Sequence, residues 1–178
     1  TLVNYDTYVA AQRLVLPDVT SADTTYGEAY PFEPFPLEND NAKAKEYLDK
    51  AVSELGVSSP ADIEINLLTT DTEGAKRQAE VLKEQYEKNL GIKVEIDQVT
   101  YKERLEREQV LDYDMVVTGW VPDYSDAYSY LELWISDGQY NHSGYNNPKY
   151  DELLEASNTE TDAKARQDLL FEAERIFL

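Results

Sequence analysis

The chain has 178 residues, with 36 acidic against 16 basic side chains, a formal net charge of −20 and no cysteine. That balance excludes nucleic-acid phosphate and anionic membrane surfaces as natural partners, because both would be repelled, and the absence of thiols excludes disulfides and thiolate metal sites. With 42% hydrophobic residues there is apolar surface enough to fold, and the length suits one domain, 1–178, rather than two.

Residues 1–38 are rich in Pro, Thr and Tyr without a sustained period, and in "YPFEPFPLEN" Pro31, Pro34 and Pro36 exclude a helix; an ordered loop or an extended wrap is expected. The α/β part, 39–178, opens on a helix capped by Asn39 or Asp40. Its apolar face is Ala44, Tyr47, Leu48, Ala51, Val52 and Leu55, and it stops at Gly56. Alternation in "IEINLLT", 63–69, predicts a strand. Helical spacing of Ala75, Ala79, Leu82, Tyr86 and Leu90 predicts a helix over 72–90, ended by Gly91. "IKVEI", 92–96, is a second strand, and Thr100 with Glu103 forms a capping-box pattern that starts a helix running to about Leu111.

"YDMVVTGW", 113–120, is the third strand, apolar enough to be buried on both faces. Strands alternating with helices at this spacing predict an α/β fold with a largely parallel sheet flanked by helices. Further helices are expected near 127–137, over 148–157 with Asn147 as cap and Pro148 at the first position, and from about 162 onward. The last of these carries Leu169, Leu170, Ala173, Ile176 and Phe177 at helical spacing without a terminating glycine, so a piece of a longer protein is expected. No run reaches the about 20 apolar residues of a membrane span, and the first residues lack a basic-then-apolar leader pattern.

The loop after the third strand, "GWVPDYSD" at 119–126, occupies the position where open parallel sheets bind ligands, beyond the carboxyl ends of the strands. Gly119 permits close approach of another backbone. Trp120 offers a flat wall, and Asp123 offers a charge beside the stiff Pro122. A carboxylate next to aromatic surface suits an ammonium group. Asp123 and Asp126 equally suit the capping of a turn and the next helix, and Trp120, Tyr128, Leu131 and Trp134 equally suit a core. The local sequence leaves both readings open.

Residues 91–134 resemble the cluster-C solute-binding proteins of ABC transporters, the oligopeptide and dipeptide receptors. The resemblance lies in the "GI-x-V" strand, the helix behind it, the "YDM" strand and then "GW-x-x-DY-x-D". "NHSGYNNPKYDELLEAS", 141–157, is similar to that family's "N-x-x-x-Y-x-N-P-x-Y-D-x-L" segment, and "NDNAKAKEYLDKAVSELG", 39–56, to its "A-K-x-L-L" helix. The resemblance implies one lobe of a bilobed receptor of the periplasmic-binding-protein type, lying outside the cytoplasm in a periplasm or on a lipid anchor. A receptor of this kind works as a monomer that binds short peptides and delivers them to ABC permease subunits, without catalysis, cofactor or metal. Carried over by position, Asp123 matches the carboxylate that pairs with a peptide α-amino group, and Trp120, with Tyr124 beside it, matches an aromatic pocket wall. The Gly119 and Val121 backbones match a strand edge along which a peptide lies. Val117 stands where some members place an arginine for the peptide carboxylate, which leaves the hold on that end open. Relatives of the same fold take nickel chelates, haem or oligosaccharides instead.

Enzymatic chemistry has little to stand on. The only histidine, His142, sits in the loop-like "YNHSGYNNP", and no nucleophile motif, phosphate loop or histidine-rich metal spacing is present. Asp123 and Asp126 would be the carboxylate pair of a glycoside hydrolase. "LENDN" and "TTDTEG" fail the spacing of a calcium loop.

Overall fold

The computed structural model describes residues 11–38 and 40–178, which divide into two compact units: 38–119, and 11–37 with 120–178. The first unit begins with α1, Asn41–Leu55, whose first turn is capped by the Asp40 carboxylate accepting from the Lys43 amide at 2.9 Å. Asn39, the alternative cap, lies outside the described residues, as do residues 1–10 of the predicted wrap. Gly56 ends α1 at φ 68, a left-handed conformation that costs glycine little. The predicted apolar face is only partly covered: Leu48 packs with the neighbouring core, while Tyr47 and Leu55 are exposed.

The sheet follows. β1, Glu64–Thr70, α2, Glu73–Leu90, and β2, Lys93–Val99, form a parallel β-α-β unit in which Glu64 pairs with Lys93 and Thr70 with Val99. β2 therefore runs three residues past its predicted end. Leu67, Ala79, Ile92 and Val94 form the core between α2 and the sheet, joined by Leu82, Tyr86 and Met115. β2 is an edge strand, and its main chain at Val94 is engaged by α2 side chains: Lys83 donates to the carbonyl, and Glu87 accepts from the amide at 3.3 Å. Bonding of this kind blunts an edge against pairing with foreign chains.

α3, Tyr101–Gln109, starts where Thr100 accepts from the Glu103 amide at 3.3 Å. It leads to β3, Met115–Val116, which pairs with β1 in parallel through Leu67↔Met115 and Leu68↔Val116. The expectation of a long strand buried on both faces is corrected here. The ladder is two residues long and half-buried, at an edge of the order β2-β1-β3. Asp114 and Val117 extend it, the one accepting from the Asn66 amide at 2.8 Å and the other donating to the Leu68 carbonyl at 3.0 Å. With the first strand in the middle, the chain reverses direction across the sheet between β1 and β3, the topological switch at which such sheets bind ligands.

The second unit is helical. α4, Pro148–Thr159, and α5, Ala163–Phe177, pack together over Tyr150, Leu153, Leu154, Leu170 and Ala173. Instead of the helix expected near 127–137 there is one turn, Tyr128–Leu131, continued as a 3-10 turn, Glu132–Trp134. Leu131 is fully buried and Trp134 stacks on Phe177 at 4.6 Å, as core positions do. The segment 11–37 holds a two-residue hairpin, Thr20–Ser21 against Thr24–Thr25, and one helical turn, Tyr26–Ala29, which its composition did not announce.

That segment is tied to α5 by a buried ion pair. Arg13 is paired with Glu174, which also accepts from the Val15 amide at 2.9 Å, and the guanidinium lies 4.7 Å from the centre of the Tyr26 ring. Removing one partner of such a pair strands the other charge away from water. Glu174→Ala is expected to lower unfolding free energy by about 3–5 kcal/mol, read from urea denaturation; a change under about 1 kcal/mol would show the pair to be dispensable.

Candidate functional site

The six residues singled out by the sequence divide between the units. In the sheet unit, Val117 and Gly119 follow β3 at its carboxyl end. The Val117 side chain packs against the sheet core, so it is a wall of the fold as well as a position beside the strand exit. Gly119 is exposed, and a Cβ placed there would stand in open space. Thr118 between them accepts from Arg104 at 2.7 Å. Arg104 is itself buried and paired with Glu108, so this exit is fixed from beneath by α3.

In the helical unit, Trp120 and the turn that follows it are held by main-chain and side-chain bonds. The Trp120 indole N–H donates to the Ser129 carbonyl at 2.9 Å and its ring meets Tyr140 at 5.4 Å, yet 37% of the residue remains exposed. The indole is thus fixed in place with part of its surface free, as an aromatic wall requires. Val121 and Tyr124 are exposed at 84% and 51%. Pro122, Tyr124, Ser125 and Tyr130 line an open recess of about 240 Å³ with Leu16, Asp18 and Val19.

The two aspartates have separate fates. Asp126 is engaged on both oxygens: Arg166 of α5 donates to Oδ2 at 2.8 Å and to Oδ1 at 3.0 Å, and Oδ1 also accepts from the Tyr128 amide at 2.8 Å. Asp126 thus closes the turn before Tyr128, while the helical turn Tyr128–Leu131 starts from Ala127 without a side-chain cap. Asp123 is exposed, and among the described residues no hydrogen bond or ion pair engages its carboxylate. Burial, with the Asp123 charge next in importance, holds the Glu132 carboxyl above the usual range. Burial and then the charges of Glu132 and Asp126 raise the Tyr124 phenol. A partly desolvated, acidic and aromatic surface of this kind favours a cation.

Residues the sequence did not reveal complete the picture: Ser125, which accepts from the Thr20 amide at 3.1 Å, together with Arg166, Ser129 and Tyr140. The segment 141–151 has a structural office. Asn141 donates to the carbonyls of Ile135 at 3.1 Å and Tyr145 at 2.7 Å, Asn147 caps α4, and Tyr150 donates to the Leu131 carbonyl at 2.6 Å. His142 belongs to the same loop, its amide donating to the Tyr140 carbonyl at 3.0 Å. Among the described residues no group of three or more His, Asp and Glu is placed to hold a metal ion, and no helix is long and apolar enough to cross a membrane.

The model of the family described as Bacterial extracellular solute-binding proteins, family 5 Middle, matches residues 1–142. The chain belongs to this family. Among family 5 relatives, the oligopeptide-binding protein OppA of Bacillus subtilis is 36% identical over 143 residues, which are 79% of this chain and 26% of that protein. A crystal structure of the peptide-binding protein of a peptide ABC transporter superposes with a TM-score of 0.84 at 31% identity, over 97% of this chain and 76% of that one. The structure of Listeria monocytogenes OppA bound to peptide superposes with a TM-score of 0.80 at 32% identity, over 94% and 31%. The chain spans about a quarter of the length of the curated relatives it matches, 22% for one and 29% for another.

The indole hydrogen bond yields a direct check. Trp120→Phe keeps the aromatic surface and removes the N–H, so unfolding free energy should drop by about 0.5–1.5 kcal/mol in urea titrations. An unchanged midpoint would mean that Ser129 does not hold the ring.

Proposed function

We propose that this family 5 chain forms most of the second lobe of an extracytoplasmic receptor, in a periplasm or on a lipid anchor, that binds short peptides and delivers them to the permease subunits of an ABC importer. The observation that carries the reading is the contrast at the corner. Asp126 is saturated by Arg166 and the Tyr128 amide, while Asp123, three residues before it and three after the fixed Trp120, is exposed without a partner. Relatives named for oligopeptide binding, and one whose structure holds a peptide, support it.

In this reading Asp123 receives the α-amino group of the peptide. Trp120 and Tyr124 flank it, and the main chains of Gly119 and Val121 offer hydrogen bonds to the extended ligand. Main-chain pairing gives affinity without reading side chains, which suits a receptor of broad specificity. Val117 presents no charge, so the reading assigns no fixed cation to the peptide carboxylate at this strand. The receptor acts as a monomer and performs no chemistry: the ligand enters between two lobes, closure excludes water, and the closed form engages the membrane partner. Neither cofactor nor metal takes part.

Within a closed cleft an unpaired partner charge is costly. Asp123→Ala in the full receptor should weaken binding of a random tripeptide pool by at least about tenfold, or 1.4 kcal/mol. Its melting temperature should stay nearly unchanged, because the carboxylate holds nothing in the fold. Equal affinity in variant and parent would remove Asp123 from the site, and a melting temperature falling with affinity would return it to a capping role.

A further inference from the structure

The bonding of the corner assigns a role to a residue far from it in sequence. Residues 121–124 are tied down on both sides: before them Trp120 is held by the Ser129 carbonyl at 2.9 Å, and after them Ser125 is held by Thr20 at 3.1 Å and Asp126 by Arg166 at 2.8 and 3.0 Å. A four-residue span with both ends fixed has few conformations to lose when a ligand binds, which is what pre-organisation means energetically. The Arg166–Asp126 fork is the most directional of these ties, being bidentate, charge-assisted and three-quarters shielded from water, with side-chain exposures of 26% and 22%. It also settles a competition. Two unpaired carboxylates three residues apart would repel each other and share any ammonium group between them. With both oxygens of Asp126 occupied, the ammonium has one aspartate of the pair to meet.

We propose that Arg166 is a positioning residue of the amine site: its fork on Asp126 fixes the corner and leaves Asp123 to receive the ammonium group of the ligand. The proposal rests on the reading that Asp123 binds an α-amino group. Arg166 does not touch the ligand in it. A lysine in its place would keep the charge but make one bond instead of two in fixed directions.

The test measures how much the amino group contributes to binding. The full receptor and its variants are titrated calorimetrically with a pool of random tripeptides and with the same pool N-acetylated, and the ratio of the two dissociation constants is taken. The parent is expected to show a ratio of at least about ten. Arg166→Gln should reduce it to under about three, and Arg166→Lys should fall between. If Arg166→Gln weakens both pools equally and leaves the ratio at the parental value, Arg166 serves stability alone and the proposal is overturned while the Asp123 reading stands. A parental ratio near one, or binding of neither pool, overturns both. Should Arg166→Gln fail to fold, Asp126→Asn draws the same distinction through the same ratio, since it retains an oxygen for the Tyr128 amide and loses the charge that pairs with Arg166.

Discussion

A carboxylate that leaves water must find a cation or hydrogen-bond donors, and in a chain of 36 acidic and 16 basic residues cations are scarce. The structure places arginine where that demand is greatest. Arg13 meets Glu174 beneath the 11–37 segment, Arg104 meets Glu108 beneath the β3 exit, and Arg166 grips Asp126. Lysines instead make i,i+4 pairs on exposed helix faces, such as Lys45–Asp49 and Lys164–Asp168, which contribute little to stability. Guanidinium groups under the shielded carboxylates fix segment ends within each unit.

The candidate site is what this allocation leaves over. Around 119–126 every tie runs through a neighbour of Asp123, and none runs through Asp123 itself. The result is an exposed anion without a partner, in a turn whose two ends are held by Trp120 and by Ser125 and Asp126. Burial and then the Asp123 charge hold the Glu132 carboxyl above its usual range, as surroundings short of positive charge do. A ligand ammonium would supply it, whereas a purely structural corner would be expected to cap its own carboxylates as it does with Asp126.

The helices and strands of the sheet unit were legible because their signals are local. Caps at Asp40, Thr72 and Thr100, left-handed glycines at 56 and 91, and period-two alternation in β1 and β2 all depend on residues a few positions apart. The third strand misled, since "MVVTGW" has the apolarity of a buried strand but only Met115 and Val116 pair, and the chain leaves the sheet at Val117. Apolar content reports burial, not the length of a ladder. The helix expected near 127–137 shrank for a related reason: Leu131 and Trp134 reach the core from single turns. Within the site, the aspartates and tryptophan were visible as residue types, but their division of labour was not. Arg166 lies 40 positions from Asp126, Glu174 161 from Arg13, and nothing in a single sequence marks such pairs.

Carriage of peptides by a full-length family 5 receptor containing this chain is the proposal on which the roles of Asp123 and Arg166 rest. Native mass spectrometry of that receptor, purified without denaturation, tests it most directly by weighing what departs on gentle activation. A ladder of masses spaced by amino-acid residues is expected, spread over several peptide lengths because no fixed cation at Val117 defines the carboxyl end. One discrete non-peptide mass, such as a metal chelate, haem or a sugar, would contradict it and leave only the fold.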